Sequence, residues 1–320
     1  MKDDKVTVKT GQTKKLLLAV IVGFIVCAVI LGVLWVLKNG NLGGSQVSNE
    51  TQNELKKVVA SDEETLRKLL LEESELSIDV RNDIEVDEQF IVKGTKTLTG
   101  DGELRMLLSA EWGQSLLVVS EGASLTMDGL VLNGNYVADG IHMEQNAALT
   151  YLSGTIKCTD VYSIQAQGDV TIKGVDIEKA EYIGIFAEKG SLVNIEGGNL
   201  TDSATHDLYV QLGAVAEITG DVVFDGCMGD SVINYGMLDV QDGKFANANS
   251  YTFNNYGELT IAGKGNDFVE CTGSILGVVC TRKDAETTIS GLYVYDTNRQ
   301  GVVTVGGKTT IKDSKFERTG

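Results

Sequence analysis

The chain of 320 residues holds two histidines, and each stands close to an aspartate. Asp139-Gly140-Ile141-His142 sets an acid three residues before an imidazole, and His206-Asp207 sets the two side by side. A histidine with a carboxylate partner is a frequent general acid–base arrangement, so these residues are the first candidates for proton-transfer chemistry. A second set recurs at wider spacing. Glu144, Gln167, Glu188, Gln211, Asn234 and Asn255 succeed one another at intervals of 21 to 23 residues. Two positions before members of this set stand His142, Phe186, Tyr209, Val232 and Phe253, and Leu276 extends that series. Rings cover the apolar faces of a sugar while amides and carboxylates bond its hydroxyls, so the pattern points to a carbohydrate-binding strip.

The elements that must carry these residues repeat at the same interval. Glycine recurs at 168, 190, 213, 236 and 257, in steps of 22, 23, 23 and 21 residues. The alignment extends outward to Gly122 and Asn146, and to Cys280 and Gly307. Before each anchor lies an alternating run such as Ile141-His142-Met143-Glu144 or Leu208-Tyr209-Val210-Gln211. After it lies a second run, as in Leu125-Thr126-Met127-Asp128-Gly129 or Val170-Thr171-Ile172-Lys173-Gly174, often followed by a third apolar pair such as Val175 and Ile177. Alternation marks strands with one buried face, and a fixed period of this size marks a solenoid. Two to three short strands per turn of 21 to 27 residues describe a parallel β-helix of about nine to ten coils.

With the apolar set inward, the amide, carboxylate and aromatic series form outward columns on one face, and Gln167 joins if its coil is one residue shorter. In that register Ser231, Thr252 and Asn254 point inward; a slip of one residue there buries Val232 and Phe253 instead. The two histidine–acid pairs fall three coils apart, about 14 Å, too far for a single proton relay. Each pair therefore reads as a turn residue beside a solvent-facing one.

These repeats, with the opening segment Val58-Val59-Ala60-Ser61-Asp62-Glu63-Glu64-Thr65-Leu66, make residues 58 to 320 resemble the right-handed parallel β-helix proteins. Within that group the chain is similar to the pectate-lyase-like adhesive modules of bacterial surface proteins. The resemblance implies an all-β solenoid that begins with a strand and a capping helix, and a binding rather than a catalytic role. Galacturonan hydrolases of this group carry Asn-Thr-Asp, Asp-Asp, Gly-His-Gly and Arg-Ile-Lys blocks. Here Asp-Asp occurs only at Asp3-Asp4, His-Gly is absent, and the nearest basic pair is Arg282-Lys283. Pectate lyases use an arginine base among calcium-binding carboxylates, yet Arg81, Arg105, Arg282, Arg299 and Arg318 sit off the aligned runs. No catalytic residue, cofactor or metal ligand is assigned, since neither a zinc spacing nor a Gly-Gly-x-Gly-x-Asp calcium repeat occurs.

Ahead of the coils, residues 16–37 are free of charge and, at about 1.5 Å per residue, long enough to span a bilayer as one helix. Lys2, Lys5, Lys9, Lys14 and Lys15 precede it and Lys38 follows. The positive-inside rule then places residues 1–15 in the cytoplasm and everything after the anchor outside the cell. Residues 38–57 read as a polar tether. The apolar run is too long for a cleaved signal peptide and ends in no small-x-small site. At Ser61-Asp62-Glu63-Glu64 a capping box with Ser61 as N-cap opens a helix over 61–73, whose Leu66, Leu69 and Leu70 lie on one face.

The formal charge is −18, and since six of the 27 basic but only two of the 45 acidic residues lie in the first 40 positions, the outer part carries about −22. Such a field disfavours nucleic acid and anionic surfaces. Cys158, Cys227 and Cys271 stand too many coils apart to bridge; Cys271 with Cys280 is the only open pairing. The last coil, Gly301 to Gly320, carries Val302, Thr304, Ile311 and Phe316 and lacks a polar cap, which allows self-association through its open end. The sequence thus reads as a membrane-anchored extracellular β-helix that binds a glycan or surface polymer. The alternatives are a polysaccharide lyase or glycoside hydrolase with an atypical site, and a structural spacer.

Overall fold

The computed structural model describes residues 57–263 and 268–320. The expected cytoplasmic tail, the anchor at 16–37 and all but the last residue of the tether lie outside the described residues. Among the described residues no helix is long and apolar enough to cross a membrane.

Every strand pairs in parallel with its counterpart one turn away, and about 11 turns build a three-faced β-solenoid. The three runs read per repeat become its three faces. The first face holds strands such as Asp169–Ile172, Leu192–Ile195 and Val215–Ile218, and the second holds Val175–Glu178, Gly198–Thr201 and Val222–Asp225. Both belong to one 21-stranded sheet, because Ser124–Asn133 and Ala148–Lys157 run unbroken around the corner between them. The third face is a separate 10-stranded sheet that includes Ala138–Met143, Tyr162–Ala166, Ile183–Ala187 and His206–Val210.

Alternation decides which side chains enter the core. On the first face Leu149, Val170, Val193, Ala216 and Leu238 form one inward column and Tyr151, Ile172, Ile195, Ile218 and Val240 another, each at most 3% exposed. Each such column buries apolar surface continuously along the axis, at about 25 cal/mol per Å² removed from water. The corner between second and third faces is made by one left-handed residue per turn. Cys158, Lys179, Asp202, Gly226, Asn247, Gly273 and Asp296 all take φ between 52° and 77° there. Glycine is thus one solution among several, and the glycine period does not mark this corner.

The helix spans Glu63–Leu71 and is shorter than the 61–73 read from sequence. Its N-cap is Asp62, not Ser61: Asp62 Oδ1 accepts from Thr65 N at 2.8 Å, while Ser61 only reaches Asp62. The third residue after an N-cap presents the free N–H, and from Asp62 that residue is Thr65. Leu66 and Leu70 are fully buried, Leu69 packs against the same core, and the helix touches Lys57–Ala60, Ile84–Val86 and Phe90–Val92. These are the first strands of the three faces.

A residue the sequence reading passed over secures this end. Lys96 occupies an inward column between Leu76 and Leu125 and is fully buried. Its Nζ donates to the carbonyls of Glu72, Ser74 and Lys93, at 2.6, 2.8 and 2.5 Å. A buried ammonium is tolerated only when its donors are satisfied, and here it supplies partners to the chain leaving the helix. At the other end Gln300–Thr304, Lys308–Lys312 and Lys315–Thr319 form the last rung, with Ile311 44% and Phe316 40% exposed.

Lys96→Met keeps the apolar stem and removes all three donors. We expect it to cost about 2 to 4 kcal/mol in thermal unfolding followed by circular dichroism. A loss below about 0.5 kcal/mol would show that the ammonium does not hold this end.

Candidate functional site

The expected strip lies on the third face, where the structure divides its residues into two groups. Glu144, Gln167, Glu188 and Gln211 occupy one outward column just past the strand ends, each half-buried. Phe186 and Tyr209 pair directly in the outward column two residues earlier, together with His142 and Gln165. Asn234, Asn255 and Phe253 do not belong to the strip. Asn234 is 1%, Asn255 0% and Phe253 1% exposed, and all three point into the core. Val232, also read as outward, is fully buried.

The correction has a physical cause in the turn between the third and first faces. After Ala187 and Val210 four residues intervene before the next strand; after Ala166, Asn234 and Asn255 only two do. In the longer turns Gly190 and Gly213 take φ of 92° and 86°, which favours glycine for its backbone freedom. In the shorter turns Gly236 and Gly257 are not left-handed. A Cβ there would lie 2.3 Å from Ala214 O and 2.2 Å from Gly236 O, so glycine is required for close approach of neighbouring turns. Aligning the chain on glycine merges two turn lengths and shifts the register by one residue at 234 and 255. Cys280 and Gly307 are likewise not equivalent anchors: between the third and first faces, the left-handed residues of the last two turns are Asp284 and Gly306.

The displaced asparagines close the short turns from inside. Asn234 Oδ1 accepts from Gly236 N at 3.1 Å and Asn255 Oδ1 from Gly257 N at 3.0 Å. Asn234 Nδ2 donates to Asn255 Oδ1 at 2.8 Å, and Asn255 Nδ2 donates to Thr287 Oγ1 at 2.9 Å. Phe253 packs against Phe245, with ring centroids 4.7 Å apart. The outward places that these residues vacate are taken by Tyr235 and Tyr256. Sequence reasoning missed both tyrosines, although each immediately precedes a glycine, as Gln167 does.

The strip is therefore richer in rings than expected. Tyr162 stacks on Phe186 at 5.1 Å, Phe186 meets Tyr209 edge-on at 5.2 Å, Tyr209 stacks on Tyr235 at 5.7 Å, and Tyr235 stacks on Tyr256 at 4.5 Å. Arg282 closes the run, its guanidinium 5.5 Å from the Tyr256 ring and 5.4 Å from that of Tyr251. Its Nε donates to Asn254 Oδ1 at 2.7 Å, and Asn254 Nδ2 donates to Asp230 Oδ2 at the same distance. At the other end His142 Nδ1 bonds Gln165 Oε1 at 2.8 Å, and Gln165 Nε2 donates to Glu188 Oε1 at 2.6 Å. Gln167 Nε2 also donates to Glu188, at 3.2 Å. Rings stacked between turns use their faces on one another, so what they offer to solvent is mainly their edges. Among the described residues the phenols of Tyr162 and Tyr209 make no hydrogen bond.

Neither histidine–acid pair forms a dyad. Asp139 Oδ1 accepts from Val161 N and Tyr162 N at 2.7 and 2.8 Å, fixing the next turn, and burial raises its pKa. His206 Nδ1 donates to Asp230 O at 3.0 Å, whereas Asp207 points into the core. Asp207 is fully buried; Ser231 Oγ donates to its Oδ2 at 2.7 Å, while its Oδ1 and the hydroxyl of Ser203 lack partners. Burial pushes its pKa up to about 7, against the pull of the Ser231 hydroxyl. Among the described residues no group of three or more His, Cys, Asp or Glu could hold a metal, and Cys158, Cys227, Cys271 and Cys280 are free, so Cys271 and Cys280 are not joined. Comparison of the chain with family models, curated proteins and solved structures returns no match.

Because Asp207 binds its proton more tightly folded than unfolded, its contribution to stability is complete below the unfolded value of 3.8 and is lost as pH rises towards 7. The loss reaches about 1.4 kcal/mol per pH unit in that window. Asp207→Asn should therefore melt higher than the wild type at pH 8, with the gap narrowing towards pH 4. A gap independent of pH would mean that Asp207 is ionised throughout.

Proposed function

We propose that the protein is a membrane-anchored, extracellular binding module whose third face takes an extended neutral glycan. The observation that supports this most is the run of rings and amides on successive turns from His142 to Arg282, laid out on a sheet surface along the solenoid axis. Turns about 4.8 Å apart bring alternate rungs near the repeat of a disaccharide. Phenol edges and amide groups match sugar hydroxyls, as tyrosine-rich protein-binding surfaces do with polar ligands. The high negative charge of the outer part argues against nucleic acid and polyanions. The solenoid is read as right-handed, by its resemblance to pectate-lyase-like adhesive modules. The helix at 63–71 is its lid, and residues 16–37 anchor it.

One observation favours the spacer reading instead. The faces of Tyr235 are turned to Tyr209 and Tyr256, and stacked rings at 4.5 to 5.7 Å stabilise a solenoid with no ligand at all. Ring removal is accordingly not neutral here: Tyr209→Ala loses contacts to Phe186 and Tyr235 and should cost about 1 to 3 kcal/mol of stability. The cleaner substitution is Tyr209→Phe, which keeps the stack and removes the hydroxyl.

The full chain in lipid nanodiscs, screened on a glycan array, should bind a neutral polysaccharide. Tyr209→Phe should weaken that binding by about 1 kcal/mol at an unchanged melting temperature. No ligand on the array replaces the binding reading with the spacer. In intact cells, Ser45→Cys should react with an impermeant thiol reagent; reaction only after lysis would reverse the topology.

A further inference from the structure

A second surface lies on the first face, away from the ring strip. Leu192, Val215 and Met237 pair directly from strand to strand in one outward column and are 40%, 38% and 52% exposed. The apolar run is confined to these rungs, since the same column continues as Glu258, Glu286 and Lys308. Beside it, two residues along each strand, stand Asn194, Glu217 and Asp239. Leu192, Val215 and Met237 with Glu217 and Asp239 bound a shallow groove of about 340 Å³, apolar on one side and acidic on the other.

The acidic side is short of donors. Gln241 Nε2 bridges Glu217 Oε1 at 2.7 Å and Asp239 Oδ2 at 3.1 Å, but Asp239 Oδ1 is shielded from solvent and has no hydrogen-bond partner. Among the described residues no lysine or arginine forms an ion pair with Glu217, Asp239 or Glu258; on this face Lys173 pairs with Glu196 and Lys308 with Glu286. A shielded carboxylate oxygen without a donor favours an arriving cation, and the exposed aliphatic column favours an arriving apolar side chain.

We propose that this groove docks a short amphipathic helix of a partner protein, with aliphatic residues on one face and lysine or arginine along the adjoining flank. The pitch permits it. Helical turns rise about 5.4 Å and solenoid turns about 4.8 Å, so over three rungs the two drift apart by only about 1 Å. Side chains at i, i+4 and i+7 can each seat against one of Leu192, Val215 and Met237. The flanking cations then lie beside the carboxylates of Glu217 and Asp239. On these consecutive rungs negative charge borders exposed aliphatic surface, and a basic apolar segment complements both.

The test uses the full chain in phosphatidylcholine nanodiscs, with empty nanodiscs as the blank. The probe is a dye-labelled alanine-based helical peptide carrying leucine at alternating three- and four-residue spacing and lysine on one flank. Fluorescence anisotropy should show saturable binding that weakens about tenfold in Met237→Lys, and about threefold or more in Asp239→Asn at low salt. The Asp239 effect should shrink as salt is added. Val215→Lys serves as a second charge insertion should Met237→Lys alter the melting temperature. Equal binding of a scrambled peptide or of a glutamate-flanked one would overturn the proposal, as would indifference to both lysine variants. Oligomers of the wild type that dissolve in Met237→Lys would assign the groove to a second copy and equally overturn it.

Discussion

Parallel hydrogen bonding between successive turns holds each residue directly above its counterpart in the turn before, about 4.8 Å away. Every other property of the molecule follows from that stacking. An apolar residue at one rung demands an apolar residue at the next, because the column it joins has no exit to water. A polar residue admitted to the interior must find its partners along the same column, as Asn234, Asn255 and Thr287 do, or be met by backbone carbonyls, as Lys96 is. Outward side chains are bound by the same rule. Rings stack on rings and amides bond amides, so a surface that could recognise a ligand is also a set of ladders holding the coil together.

This double role explains why the third face resists a simple functional reading. Glu188 receives both Gln165 and Gln167, and Tyr235 lies between Tyr209 and Tyr256, so the groups best suited to a sugar are partly occupied by one another. What is left for a ligand is the ring edges, the phenols of Tyr162 and Tyr209, and the remaining capacity of the amides. The first face presents a different surface. There the aliphatic column Leu192, Val215 and Met237 stands exposed, and Asp239 Oδ1 lacks a donor.

The solenoid and its short strands were legible because period and alternation are properties of many residues at once. The run Val170 to Ile172 and the pair Val175 and Ile177 became strands of the first and second faces, with their apolar members inside. The strip was legible only where the turn length was constant. Glu188 and Gln211 precede long turns and Gln167 was allowed its shorter one, whereas Asn234 and Asn255 were counted from glycines that serve close packing. Glycine at 213 and glycine at 236 look alike in a sequence, but one is needed for its φ and the other for its missing Cβ. Asp207 and Lys96 were illegible for another reason: the pattern expects an apolar residue or a small one at an inward place, and a buried charge is recognised only by the partners that surround it.

The orientation of the side chains between 210 and 256 is the claim on which both surfaces and both ladders rest. It can be measured by introducing single cysteines at 210, 211, 234 and 235 in the full chain and timing their reaction with a maleimide under native conditions. The account predicts rapid modification at 211 and 235, and protection at 210 and 234 that is released only on unfolding. Reaction at 234 as fast as at 235 would contradict the register, returning Asn234 and Asn255 to the surface and removing Tyr235 and Tyr256 from the strip.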